Sequence, residues 1–404
     1  VVPCYSIWQK FYYGIGLKLY DLLAGKYRFG KSRIVSRKET RELIPNISAE
    51  NLQGGVIYQD GQFDDTRLLI DLLRTSSDHG ACVLNYAKVT GLSKNGQGMI
   101  DAVQFECARS GEIYTAGAKI VINATGVFSD RVRNLSDKTS TDIITPSQGI
   151  HLVFDRSFLG GEDAIMIPKT SDGRVLFAIP WHGKTLIGTT DTPIENLTLE
   201  PKPLEEEIEF ILKTCRQYLR KPPNREDILS VFAGIRPLVG SSGVKNTASL
   251  SRGHTIAIDD SNLVTLTGGK WTTYRNMAED TISKAIGIGG MKMVESTTRE
   301  IEIKNRNRLE IKSLIAKDPA LAEKLHPDFE YQKADVINSI RNEMAITIED
   351  ILARRTRILF LDARAALKVS RDIANIIAEE LDLDHDQIEL QLSEFEALAK
   401  RYLV

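Results

Sequence analysis

"TLTGGKWTTYR", residues 265–275, sets a β-rich run against two glycines, a lysine and the start of a helix near Thr272. A strand that passes through a glycine turn straight into a helix exposes free N–H groups and the positive end of a dipole. Both suit an anion or the electron-rich edge of a cofactor ring. The stretch is not a P-loop. That motif needs a glycine five residues before the second glycine and Ser or Thr after the lysine, where this chain has Val264 and Trp271. An ordinary strand-to-helix turn with a surface lysine is the plain alternative, so the rest of the chain has to decide.

A second unit of the same kind lies upstream, where "VIN" (121–123) reads as a buried strand ending in the tight turn Ala124-Thr125-Gly126. Between the two, residues 150–190 carry short β-rich runs, "IHLVF", "AIMIP", "RVLFAIPW" and "KTLIGTT", with Ser171-Asp172-Gly173 and His182-Gly183 as hairpin turns. This predicts an antiparallel sheet inside an α/β chain. Asp65–Arg74 reads as a helix capped by Asp64. All 29 glycines fall at or before Gly290. The residues from about 300 onward are rich in Glu, Lys, Arg, Leu, Ile and Ala, which predicts a separate helical domain. Helical spacing marks 333–344, 348–358, 371–380 and 386–402, with Thr347 as an N-cap.

Residues 5–24 carry an apolar helical stripe, Trp8, Phe11, Tyr12, Ile15, Leu19 and Leu22, interrupted by Lys10 and Lys18. Packing on a core is the favoured reading of this stripe, and a membrane-surface helix is the alternative.

Composition narrows the function classes. A formal net charge of −2 argues against general nucleic-acid binding. Cys4, Cys82, Cys107 and Cys215 are scattered, as expected for reduced thiols in the cytoplasm rather than a disulfide scaffold or zinc site. No apolar run reaches membrane-spanning length. No metal site is expected: "LDLDHDQIEL" (381–390) has calcium-loop acids but Gln387 in place of the required glycine, and reads as a helix N-cap cluster. No GxSxG nucleophile motif occurs, and "GIGLKL" and "GIGGMK" both lack the third glycine of a dinucleotide fingerprint.

Three further residues carry candidate chemistry. Arg236 in "AGIRPL" and Arg252 in "LSRGHT" each suit a bidentate contact to carboxylate or phosphate. Either alone reads as structural, whereas with Lys270 they suit a dianionic substrate. His151, at the head of a β-run, is either a hydrogen-bonded core residue or a proton acceptor.

Taken together, "DGQFDDTRLL" (60–69), "NATG" (123–126), "FAIPW" with "IGTTDT" (177–192), "GIRPL" (234–238), "SR" (251–252), "GGKWTTYR" (268–275) and the tail at 343–366 resemble the FAD-dependent glycerol-3-phosphate dehydrogenases and the related α-glycerophosphate oxidases. The resemblance runs through almost the whole chain. It implies an α/β plus α architecture with an incomplete FAD/NAD(P)-binding domain of the glutathione-reductase type. The remainder of that domain would occupy 1–145, with some substrate-domain segments, and the chain would return to it over 236–295. An antiparallel substrate domain would occupy 146–235 and an all-α cap 300–404.

The resemblance also implies residue roles. The backbone from Gly269 through Lys270 and Trp271 to Thr272 would approach the flavin, Val89 would meet the adenine, and Ala124 and Gly126 would line the dinucleotide path. Lys270, Arg252 and Arg236 would hold the phosphate of glycerol 3-phosphate, and His151, with Arg236, would serve the oxidation to dihydroxyacetone phosphate. The short stretch Val239–Leu250 favours a dehydrogenase over an oxidase, which implies a membrane quinone as acceptor, a peripheral position on the inner face of the plasma membrane and a homodimer. Family members begin with a Rossmann strand and its GxGxxG turn, which this sequence lacks. Weak or absent FAD binding, and a non-catalytic fragment, are therefore the counter-expectation. Another amine or hydroxy-acid oxidase of the same flavoprotein class is a third reading, which leaves Lys270, Arg236 and Arg252 unexplained.

Overall fold

The computed structural model describes residues 1–170, 173–240, 253–304 and 308–404. Arg252 and the turn residues Ser171 and Asp172 lie outside them.

The spine of the molecule is the long strand Ile144–Asp155. Along one edge it pairs antiparallel with Ser230–Val239, from Ile144 opposite Val239 to Val153 opposite Ser230. Along the other it meets Lys184–Gly188 and, nearer its start, Thr192–Pro193. The sheet continues through Leu176–Trp181 to Ile165–Ile167. The expected turn between two of these strands is present, with His182 and Gly183 at φ of 45° and 76°, as a two-residue hairpin loop requires.

Strand periodicity divides this sheet into two faces. Ile150, Leu152 and Phe154 point into a core shared with the helix Glu205–Tyr218 through Ile208, Ile211 and Leu212. Val153, Leu186 and Trp181 point the other way, into the core of the C-terminal helices. The helical region expected from composition is there, and its apolar interior is continuous with this face of the sheet.

Strands Val264–Gly268 and Ile122–Asn123 run parallel and adjacent, with Thr265 opposite Asn123, and His254–Ile258 flanks the first of them antiparallel. A three-stranded meander, Ala87–Lys94, Ile100–Cys107 and Ile113–Gly117, stands beside them. It is tied on by Lys94 Nζ donating to Ser136 O and by Ile100 N donating to Ser261 O.

The C-terminal helices include Lys333–Glu343, Ala363–Leu381 and His385–Ala399. Thr347 accepts from Asp350 N at 3.0 Å as the expected cap, and Asp384 caps the last helix together with Gln387. The stretch expected as one helix over 348–358 is instead a π-helical segment, Asp350–Arg355, ended by Arg357 at φ 61°. Only a short turn of helix, Ile358–Leu361, follows it.

The N-terminal helix spans Ile7–Ala24 and overturns the core-packed reading. Lys10 and Asp21 face inward: Lys10 Nζ donates to Gln53 O, and Asp21 accepts from Ser32 N and Oγ at 2.6 and 2.7 Å. Gly14, its buried residue, lies under the Ile34 side chain. The apolar stripe faces out, with Trp8 83% and Leu22 73% exposed.

Candidate functional site

Two sheets meet the candidate site from different sides. On the antiparallel sheet, His151 pairs with Gly188 and Phe232. A Cβ at Gly188 would fall 2.3 Å from His151 Cδ2, so only glycine leaves room for the imidazole. The ring stacks on Phe232 with centroids 5.4 Å apart. Enclosure, with the positive charge of Arg236 as a lesser contribution, lowers the His151 pKa to about 4. His151 is therefore neutral at physiological pH, as a proton acceptor must be.

Arg236 stands on the strand paired with Ser147. Its guanidinium wraps the Thr189–Asp191 turn. Nη2 donates to Thr190 O at 3.0 Å and Thr189 Oγ1 at 3.1 Å, while Nη1 meets Asp191 Oδ1 at 3.2 Å and Gln148 O at 3.4 Å. Gly149 makes way for it, since a Cβ there would lie 2.5 Å from Arg236 Nη2. His151, Gly188 and Thr189 line one wall of a cavity of about 650 Å³ that Tyr58, Asp60 and Gln62 share.

The parallel strands supply the other side. Ala124–Gly126 and Gly268–Lys270 are the turns at the carboxyl ends of two adjacent parallel strands, the place where α/β sheets bind ligands. Gly126, Gly268 and Gly269 all have positive φ, at 59°, 72° and 78°. A Cβ on Gly269 would strike Met277 Sδ at 2.6 Å, and one on Gly268 would meet Gly253 O and Val239. Space beside Gly126 is open. Ala124, Lys270 and Thr272 are exposed, and Trp271 is half-buried. A 3₁₀ turn, Trp271–Thr273, precedes the helix Tyr274–Ile288, so the α-helix starts two residues later than the sequence suggests. A planar cofactor fits beside Gly126, where among the described residues nothing lies within 4 Å of the place a Cβ would take, while Gly268 and Gly269 are packed against Val239 and Met277. Val89 lies in the meander, 37% exposed, where the register shifts at a bulge.

The structure thus brings His151 and Arg236 together, and sets Ala124, Gly126 and Gly269–Thr272 on one edge. Val239, three residues beyond Arg236, touches Gly268 and joins the two groups. Residues that sequence reasoning missed include Asp191, Gln148 and Thr190 around Arg236. Their signal was the polar "IGTTDT" run following a strand, which reads as an ordinary turn until its partner arginine is known.

Two parallel strands with glycine turns at their carboxyl ends, an antiparallel sheet presenting a neutral histidine and an arginine, and a helical extension fit an FAD-dependent oxidoreductase. The FAD dependent oxidoreductase family profile matches residues 13–275, and the C-terminal domain of alpha-glycerophosphate oxidase matches 306–388. The mitochondrial glycerol-3-phosphate dehydrogenase of Arabidopsis thaliana is 33% identical, over all of this chain and 71% of its own length. The corresponding human protein is 35% identical over 97% of this chain and 59% of its own, and a probable one from Caenorhabditis elegans is 34% identical over 94% and 58%. The glycerol-3-phosphate dehydrogenase of Bacillus halodurans, solved with FAD, superposes with a TM-score of 0.78 at 26% identity, covering 91% of this chain and 79% of that one. The chain belongs to the glycerol-3-phosphate dehydrogenase family of FAD-dependent oxidoreductases, and it spans just under six-tenths of the length of its animal relatives.

Proposed function

We propose that this protein oxidises sn-glycerol 3-phosphate to dihydroxyacetone phosphate with FAD and passes the electrons to a membrane quinone. The observation that carries this reading is the convergence of His151 and Arg236 on the Gly188–Asp191 turn, at the wall of a cavity large enough for substrate and ring. His151, held neutral, takes the C2 hydroxyl proton. Arg236 and Lys270 hold the phosphate by charge-assisted hydrogen bonds, joined by Arg252. Gly269–Thr272 would hold the flavin edge, Ala124 and Gly126 its path, and Val89 the adenine. FAD, when bound, supplies the acceptor for the C2 hydride. An oxidase using the same residues differs only in where the electrons leave.

Purified protein supplied with FAD should reduce a dye acceptor when given glycerol 3-phosphate. Lys270→Ala and Arg236→Ala should each weaken glycerol 3-phosphate binding by about tenfold or more while barely changing the response to glycerol. Equal loss for both ligands rejects the phosphate role.

Among the described residues no helix is long and apolar enough to cross a membrane. The outward stripe of Ile7–Ala24 supports contact with a bilayer surface instead. Trp8 fluorescence should shift to the blue with anionic vesicles, and Trp8→Glu/Leu22→Glu should abolish co-sedimentation. Unchanged sedimentation of that variant removes the helix from membrane contact. A homodimer is a further element of the proposal, checked by light scattering.

A further inference from the structure

Behind Arg236 lies a buried carboxylate that the reaction does not call for. Glu207, in the first turn of the helix Glu205–Tyr218, is 3% exposed. Its Oε1 accepts from Thr190 Oγ1 at 2.7 Å and Thr192 Oγ1 at 2.9 Å. Its Oε2 accepts from Gln148 Nε2 at 2.8 Å and Leu204 N at 3.0 Å. All four partners are donors, so the site asks for a group that only accepts.

The two oxygens hold the two residues whose backbone carbonyls receive Arg236. Thr190 gives its hydroxyl to Glu207 and its carbonyl to Nη2, and Gln148 gives its amide to Glu207 and its carbonyl to Nη1. Thr190 Oγ1 also accepts from Ile150 N at 3.0 Å, which locks the turn to the strand bearing His151. We infer that Glu207 is a positioning residue: acting through Thr190 and Gln148, it fixes the place and tilt of the Arg236 guanidinium. This positioning adds to the direct contacts of Arg236 with Thr189 and Asp191, and its consequence for affinity rests on the proposed phosphate role of Arg236.

Glu207→Gln keeps the size of the side chain but turns an N–H₂ group toward donors. In ¹⁵N-arginine spectra the Arg236 Nε–Hε resonance, assigned by its loss in Arg236→Ala, is expected to shift or broaden in Glu207→Gln. An unmoved resonance overturns the inference. Glycerol 3-phosphate affinity, measured by calorimetry, is expected to fall about tenfold in Glu207→Gln and to fall no further when Glu207→Gln is added to Arg236→Ala. A loss that simply adds to that of Arg236→Ala, with a lower melting temperature in both backgrounds, marks Glu207 as a helix cap alone. Should Arg236→Ala leave affinity unchanged, the phosphate role fails while the resonance still decides the positioning. Thr190→Val, which cuts one arm of the frame and keeps the carboxylate, should shift the same resonance in a smaller step if Glu207→Gln does not fold.

Discussion

At the scale of single residues, His151 has a charge state set by its enclosure. The unfolded chain protonates this histidine near 6.5, the native chain only near 4. Above pH 6.5 both states are neutral and the group contributes no pH dependence. Between 6.5 and 4 the unfolded chain binds the proton and the native one does not. Stability should therefore fall across that window, by at most about 3 kcal/mol. Urea denaturation at pH 7.5 and 4.5 should show this component, and His151→Gln should remove it. A variant with the same pH slope as the parent would place the sensitivity elsewhere. The sequence flagged His151 as either core or acceptor. Its place at the cavity wall depends on Gly188 and Phe232, residues remote from it in sequence.

Elements are joined by polar seams that local sequence does not announce. The helix Asp65–Asp78, capped by Asp64 as its sequence indicates, docks on the C-terminal helices through Arg67. That guanidinium holds Asp71 at 2.7 Å and Glu343 at 3.0 Å, and Glu343 is 1% exposed. Asn85 Nδ2 donates to Met344 O, and Tyr86 Oη donates to Asp350 at 2.8 Å along the same seam. Glu343→Ala should cost about 1.5–3 kcal/mol, because it removes one of the two buried carboxylates of Arg67 and leaves Asp71 in place. Replacing both partners, with Arg67→Met and Glu343→Leu, should recover much of that loss in a denaturant titration. An exposed, weakly coupled pair would lose less than about 1 kcal/mol.

Element types were mostly readable from hydrophobic period and turn residues. The strands of 150–190, the turn after Asn123 and the helices expected at 333–344, 371–380 and 386–402 needed nothing more. Two readings failed for physical reasons. The outward stripe of Ile7–Ala24 has the period of a core helix, and period alone does not say which side is in. Lys10 and Asp21 find backbone and serine partners inward, so the polar side anchors and the apolar side is left to solvent. The break at Arg357 was hidden because its left-handed backbone is held by tertiary contacts, with the guanidinium between the rings of Trp181 and Phe360. Of the candidate site, Arg236 and Lys270 stood out in the sequence as cations beside glycine and proline. The residues that orient Arg236 come from three separate stretches and carry no motif of their own.

For the whole molecule, the continuity of the core matters most. Val153, Leu186 and Trp181 of the sheet share one apolar interior with Ile351, Leu359 and Ile373 of the C-terminal helices. Composition alone suggests a boundary near residue 300, but burial does not stop there. Scanning calorimetry should therefore give a single transition for the sheet and the C-terminal helices, with fluorescence and far-ultraviolet circular dichroism superimposing. Two resolved transitions would mean that the shared interior does not couple them.

The aromatic packing adds a mechanical consequence. His151 stacks on Phe232, Phe232 meets Phe360 edge-on at 4.8 Å, and Phe360 meets Tyr402 at 5.2 Å. Four rings thus run in contact from His151 to the short turn Lys400–Tyr402, where Tyr402 Oη donates to Glu200 at 2.7 Å. A crosslink that displaces that turn is expected to shift the His151 imidazole resonances, far from where it was attached, and unmoved resonances would show that the stacked rings do not couple the two ends.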